Sequence, residues 1–190
     1  MLLLLLIGGG AILLAINTDE ETQVPVPTTT AAAIGNFTRP GTQLEFGEKA
    51  LVLVKLEGVE GILGVTATGI KKGDPAELAP LKLGDTAAGK TPYYVSFVLT
   101  NESDTDLPFA FTGALGGLLG DGNRAERSAI GNFAPCRIGF ASKEFARTKG
   151  ASLTSCTLTF AGGSATVVAA TYAAATDARI DYSRDPIIWK

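Results

Sequence analysis

Apolar and polar residues alternate along short stretches of this chain, and Gly, Pro, Asp or Asn interrupts nearly every stretch. A period of two places successive side chains on opposite faces of an extended strand. Residues 92–101 are the clearest case: Val95, Phe97 and Leu99 line one face, and Tyr94, Ser96, Val98 and Thr100 the other. The first set predicts a core face. Residues 62–70 repeat the pattern, with Leu63, Val65 and Ala67 against Thr66 and Thr68. Over 151–160 the alternation sets Leu153, Ser155, Thr157 and Thr159 against Ser152, Thr154, Cys156, Leu158 and Phe160. That second face is expected to bury Cys156 with Leu158 and Phe160.

Shorter strands are predicted at 44–47, 50–56, 81–83, 133–140 and 187–189, with turns at 58–61 and 71–75. Residues 107–112 are expected to return beside 92–101 as a hairpin. Gly162, Gly163 and Ser164 are expected to close a second hairpin between 151–160 and 165–174. Asp74 and Pro75 predict a capped helical turn that Pro80 ends. Residues 142–148 are polar and basic. Residues 113–132 contain Gly113, Gly116, Gly117, Gly120, Gly122 and Gly131, and Leu115, Leu118 and Leu119 show no period. This segment reads as a long loop with a helical turn near Arg124 and Arg127. Loops of this length are either irregular linkage or a contact surface.

About eight or nine short strands with almost no helical periodicity argue an all-β fold, an antiparallel sandwich or small barrel. Trp189 lies beyond both cysteines, so the antibody order Cys…Trp…Cys is absent. The expected fold is therefore a β-sandwich that is immunoglobulin-like in architecture only. It is preceded by an N-terminal hydrophobic helix and a flexible stalk.

That helix is read from residues 2–16, an almost unbroken apolar run followed by Asp19, Glu20 and Glu21 and then by a Pro/Thr/Ala stretch. Fifteen helical residues reach roughly 22 Å against a hydrocarbon core near 30 Å, and no basic residue precedes the run. The reading is a transmembrane anchor or a cleaved signal over 1–18, a linker over 19–42 and a sandwich domain over 43–190. The acidic exit suits a translocated flank. The expected location is the cell membrane, single-pass with the domain extracytoplasmic; the alternative is secretion.

Composition narrows the chemistry. With 16 Lys and Arg against 19 Asp and Glu there is no basic field for nucleic acid. His is absent, which excludes serine or cysteine hydrolysis through a histidine and removes the commonest metal ligand. Cys136 and Cys156 are the only cysteines. In a translocated domain they most simply pair, closing a loop worth roughly 3 kcal/mol in the chain-entropy account; two buried thiols are the alternative.

Three segments carry a resemblance: Leu44-Glu45-Phe46-Gly47-Glu48-Lys49-Ala50, Val65-Thr66-Ala67-Thr68-Gly69-Ile70-Lys71-Lys72-Gly73, and Pro92-Tyr93-Tyr94-Val95-Ser96-Phe97-Val98-Leu99-Thr100-Asn101. Together they resemble the secreted or membrane-anchored β-sandwich proteins of actinobacteria, akin to the mycobacterial secreted immunogenic proteins of immunoglobulin-like fold. The resemblance covers residues 44–110 and continues more weakly to Trp189. It implies the fold and brings no catalytic residues with it. The chain lacks the lipid-accepting cysteine of the lipoprotein members, and 113–132 does not match.

The remaining candidates are modest. Asp104, Asp106, Asp121 and Asn123 are the oxygen ligands that could cluster, without the twelve-position calcium pattern. Glu45, Glu48, Glu57 and Glu60 could meet at one edge as paired acids or as solvated charge. Asn36 and Asn101 begin N-x-Ser/Thr sequons, which matter only in a glycosylating host. One ring of Tyr93 and Tyr94 is expected in the core and the other in solvent, with Tyr172 and Tyr182 adding aromatic surface. Leu115, Leu118, Leu119, Arg124, Arg127, Tyr93 and Tyr172 form the candidate contact surface. No catalytic residue, metal or cofactor is predicted. The expected role is a non-catalytic module that meets a protein or envelope partner, and the alternative is a histidine-independent hydrolase using paired carboxylates.

Overall fold

Alternation in the sequence becomes two sheets packed face to face. The computed structural model describes residues 33–34, 37–56, 59–104, 106–107, 114–128, 132–175 and 180–190. In chain order the strands are β1 (Ala33–Ile34), β2 (Phe37–Thr38), β3 (Gln43–Leu44), β4 (Lys49–Leu56) and β5 (Val59–Lys72). A 3-10 segment (Pro75–Leu81) and a 3-10 turn (Gly84–Thr86) lead to β6 (Lys90–Asn101), β7 (Leu115–Leu119), β8 (Glu126–Ser128), β9 (Asn132–Phe133) and β10 (Cys136–Arg137). Helix α1 (Lys143–Arg147) precedes β11 (Ser152–Gly162), β12 (Val167–Tyr172) and β13 (Ile187–Trp189). One sheet runs β4-β5-β6-β11-β8 and the other β3-β13-β12-β7. Within them every pairing is antiparallel except β3 with β13. This is an immunoglobulin-like sandwich.

The inner face of the larger sheet is the one read from the sequence. Val52, Leu63, Val65, Ala67, Val95, Phe97 and Leu99 are buried against Ala170, Tyr172, Ile187 and Trp189 of the other sheet. Each large side chain removed from water there contributes about 1.5–3 kcal/mol. Trp189 meets Phe97 edge to face with centroids 6.5 Å apart, and its indole N–H donates to the Glu48 carbonyl at 2.9 Å.

The outer face of the same sheet is also buried. Tyr94, Cys156, Leu158 and Phe160 form a second core with Leu78, Phe133 and Cys136. Two pieces of chain cover it. The β9–β10 hairpin is held to β11 by the Cys136–Cys156 disulfide, with Cα atoms 5.2 Å apart. The Pro75–Leu81 segment is fixed by a capping box: Asp74 accepts from the Ala76 N–H at 2.8 Å, and Glu77 accepts from the Asp74 N–H at 3.2 Å. Gly73 lets that segment close over Tyr94, because a Cβ there would lie 2.6 Å from the ring. As a result both faces of β11 are covered. Its polar set, Ser155, Thr157 and Thr159, faces the inter-sheet core, and Thr159 Oγ1 donates to the Tyr93 carbonyl at 3.3 Å.

Several expectations are corrected. Residues 113–132 are not one loop: they hold β7 and β8, and Arg124 and Arg127 lie in a bridge and a strand, not in a helical turn. Gly117 explains the missing signal, since a Cβ there would lie 2.6 Å from Val167 Cγ1, so this strand packs through backbone. Both edges of β6 are taken by β5 and β11, in place of the hairpin expected with 107–112. Of that segment Leu107 is described and lies outside any strand, while 108–112 fall outside the described residues. Gly162–Ser164 leads between sheets and closes no hairpin, because β12 pairs with β7 and β13. Residues 81–83 form no strand; the 3-10 segment ends at Leu81, and Lys82 caps it with φ of 49°. Of the turns expected at 58–61 and 71–75, Val59–Gly61 and Lys71–Lys72 belong to β5.

Residues Phe37 and Thr38, within the stretch expected as linker, pack with the fold: Phe37 lies on the core, and Thr38 is buried. Thr38 Oγ1 accepts from the Leu51 N–H at 2.9 Å, Tyr182 donates to the Thr38 carbonyl at 2.9 Å, and the Leu53 backbone bonds to the Tyr182 oxygen. These contacts occupy main-chain groups along the outer edge of β4. The apolar segment expected over 1–18 lies outside the described residues. Among the described residues no helix is long and apolar enough to cross a membrane; the helix seen there is the five-residue α1.

Candidate functional site

Among the expected contact residues, the structure brings three to one place. The chain leaves the smaller sheet at β7, turns through 120–123 and enters the larger sheet at β8. The turn is an Asx turn: the Asn123 N–H and Nδ2 donate to the two Asp121 carboxylate oxygens, each at 2.9 Å. Those two bonds hold the Asp121 carboxyl below the usual carboxylate range. Beyond it Arg124 bridges to Leu118, the Ala125 N–H donates to the Gly117 carbonyl at 2.9 Å, and Arg127 pairs with Thr159.

Beside the start of β7 and the residues of the crossing lies a concavity of about 90 Å³. Its lining includes Leu115, Gly116, Arg124, Arg127, Thr171 and Ala173, and among the described residues it holds no carboxylate and no cysteine. Arg124 donates to the Ser183 carbonyl, and Arg127 to the Leu115 carbonyl at 3.4 Å. Gly116 forms part of the lining, and a Cβ there would find its nearest neighbour, Thr171 Oγ1, at 3.6 Å.

The other expected contact residues lie elsewhere. Leu115 turns its side chain into the inter-sheet core and offers the concavity its backbone. Leu118 and Leu119 are half-buried on β7, Leu119 against the core. Tyr93 and Tyr172 are corrected: they are 5% and 1% exposed, within the core, and so are not surface groups. Tyr94 and Tyr182 are buried too, which overturns the split between a core ring and a solvent ring. Tyr172 and Tyr182 meet edge to face at 5.4 Å. Burial pushes the Tyr182 hydroxyl up to about 12 and raises that of Tyr172 further, with Tyr182 beside it adding to the effect.

The acidic candidates do not converge. Asp104 pairs with Lys149 at 2.8 Å, Asp106 with Arg147 at 3.3 Å, and Asp121 with Asn123. Among the described residues no group of three or more His, Cys, Asp or Glu could hold a metal. Glu60 pairs with Lys55 at 2.7 Å. Glu45 and Glu48 share one shallow depression with Lys190, where Glu48 accepts from the Glu45 N–H at 2.7 Å and so closes a turn. Glu57 and the Asn36 sequon lie outside the described residues. The Asn101 sequon is unusable in the folded chain. Asn101 is fully buried, Nδ2 donating at 2.9 Å to the carbonyls of Phe145 and Ala146 and Oδ1 accepting from the Ser103 N–H at 2.8 Å. Sequence reasoning missed Gly116 and Thr171, whose part in the concavity depends on a pairing between β7 and β12 that leaves no local signal.

No family model matches the chain, and no curated protein matches it. It is similar in structure to a secreted protein from Mycobacterium tuberculosis, MPT63, with a TM-score of 0.51 and 14% sequence identity. The match covers 78% of this chain and 95% of that one. At that identity the likeness establishes the fold, and at that level the resemblance read from the three sequence segments holds. The single-pass membrane location is corrected: the described residues contain no membrane-crossing helix, and the solved protein of this fold is a secreted one.

Proposed function

We propose that this chain is a secreted, non-catalytic β-sandwich module that works by binding a protein or a component of the cell envelope. The observation that carries the reading is the Cys136–Cys156 disulfide, buried in the second core. Such bonds persist in oxidising surroundings and are rare in the cytosol. The secreted character of the solved protein that shares the fold supports the same location. The working unit is the sandwich domain, and its contact surface includes Arg124 and Arg127. A binding role agrees with carboxylates engaged in surface ion pairs and main-chain caps, as at Glu60, Asp104 and Glu48.

The test is to express the full chain with a C-terminal tag in its native cells and separate medium, envelope and cytosol. The expected result is recovery from the medium, with both cysteines alkylated only after reduction. Recovery from the cytosol with two reactive thiols overturns the reading. Crosslinking of the secreted protein to intact cells is expected to give a discrete adduct. Adduct no greater than for an inert carrier protein removes the binding role.

A further inference from the structure

We propose that residues 73–89 form a strap that lifts from the outer core as a unit and uncovers an apolar face of β6 and β11. The strap connects β5 to β6, and its ends are pinned together. Lys72 pairs with Tyr93, and the Gly73 N–H donates to the Pro92 carbonyl at 2.9 Å. Gly89 turns the chain back into β6 with φ of 67°, a conformation glycine takes without strain. Loops of this length whose ends adjoin are often lids or binding loops. Three observations make this one a lid. The first is where its hydrogen bonds go. Glu77, Lys82 and Ala87 donate main-chain N–H groups to the carbonyls of Asp74, Ala79 and Gly84, each three residues back. The capping box is internal as well. One side-chain bond crosses to the sheet, from the Tyr94 hydroxyl to Glu77.

The second observation is packing. Leu78 is the strap's buried anchor, while Leu81, Leu83 and Ala87 are half-buried against the same cluster. Within the curl of the strap lies an open depression of about 260 Å³, lined by residues that include Pro75, Leu78, Lys82, Leu83 and Ala87. The described residues of that lining all belong to the strap, so it wraps space and gains little from packing on itself. The third is the contrast with the neighbouring cover. The β9–β10 hairpin is held by the disulfide, and Gly139 beyond it runs so close to β11 that a Cβ would lie 2.3 Å from the Thr154 carbonyl oxygen. Segments with few buried apolar contacts open well below the cost of global unfolding. The strap is such a segment and the hairpin is not. Lifting it turns Tyr94 and Leu158, side by side on β6 and β11, toward water together with Phe160 and Phe133.

The test is hydrogen exchange of the oxidised full chain, read amide by amide. Helical turns this short do not persist without support, so the Glu77 and Ala87 amides report the lifting. Both are expected to give one opening constant, larger than that of the β6 and β11 ladder and insensitive to low denaturant. Ile187→Ala weakens the inner core away from the strap and should speed ladder exchange roughly tenfold or more, with the strap amides unchanged. Should that variant not fold, the denaturant series on the parent decides the same question. Leu78→Ser removes the anchor. With the disulfide intact and the ladder still protected, it should bind the apolar dye anilinonaphthalene sulfonate roughly fivefold more than the parent. Strap amides that accelerate together with the ladder, unequal constants at Glu77 and Ala87, or parental dye binding by folded Leu78→Ser each overturn the proposal. None of these outcomes bears on secretion or crosslinking, so the motion and the proposed function fall separately.

Discussion

On its inner side the larger sheet is covered by a whole second sheet; on its outer side it is covered by a hairpin, a 3-10 segment and a covalent bond. The inner core interleaves large apolar residues of two sheets, with Trp189 and Phe97 at its centre. The outer core is smaller and depends on fastenings: the disulfide, the Asp74 capping box, and a Tyr94 hydroxyl that donates to Glu77. A sheet-on-sheet interface is redundant, because many side chains share the work. A cover built from short pieces has few contacts to lose and therefore concentrates its stability in named bonds.

The largest effect is expected from the inner core. Trp189→Ala removes the most voluminous of the fully buried side chains and leaves the Glu48 carbonyl without its donor. Truncations of this kind cost about 3–5 kcal/mol. Denaturant titration should show the whole domain losing that stability in one transition. If β9 and β10 alone loosen, the two cores are not organised as described.

Next comes the outer fastening. Cys136→Ser with Cys156→Ser opens a link between residues 20 apart, worth about 3 kcal/mol. Hydrogen exchange should accelerate first at 133–137 and 75–81, while the β5 and β6 amides keep the protection set by global unfolding. Equal acceleration at every amide would merge the two cores into one cooperative unit.

The same contrast decides what could be read from the chain. The strands β5 and β6 were legible because each places apolar residues on the inner face at period two, as Val65, Ala67, Val95 and Phe97 do, and β4 because it is a near-continuous apolar run broken by Lys55. The terminal strand was legible as a short apolar run, Ile187-Ile188-Trp189, introduced by the turn residues Arg184-Asp185-Pro186. Strand β7 was not, since its inward position 117 has no side chain and Val167 and Thr159 from other strands fill the space. The outer core was half legible. Cys156, Leu158 and Phe160 announced a buried face, but nothing local showed that Ser155, Thr157 and Thr159 are buried opposite them. Period two assumes one wet face, and β11 has none. The tyrosines failed likewise: Tyr93 and Tyr94 point to opposite faces, as adjacent strand residues must, and both faces are covered. At the concavity, Arg124 and Arg127 were visible as candidates, whereas Thr171 came from a pairing more than forty residues distant along the chain.

A smaller effect is expected where α1 joins the inner core. Asn101→Ala deprives the Phe145 and Ala146 carbonyls of a donor and the Ser103 N–H of its acceptor. Leaving buried groups unpaired costs about 1–3 kcal/mol. The melting temperature should fall, with helix amides near Ala146 exchanging faster than those of β12. An unchanged melting temperature would mean that water replaces the amide and that α1 is not fastened through it.

The smallest expected effect probes the outer core without removing any carbon. Tyr94→Phe deletes the hydroxyl that donates to Glu77, a bond worth about 1 kcal/mol, and leaves the ring against Phe133 at 5.9 Å. In the parent, burial first, then the bond to Glu77 and the charges of Glu77 and Asp74, raise the Tyr94 hydroxyl well above its ordinary value. The folded state therefore disfavours the phenolate. Stability from this group is fully present below the unfolded tyrosine value of about 10 and is lost as pH climbs beyond it. Tyr182 adds loss of the same sign between its unfolded value and about 12. Denaturation at pH 8 and pH 11 should therefore show a smaller alkaline loss in Tyr94→Phe than in the parent. An equal loss in both would assign the alkaline sensitivity to Tyr172 and Tyr182, placing it in the inner core and at the β4 edge, and would leave the outer cover insensitive to base.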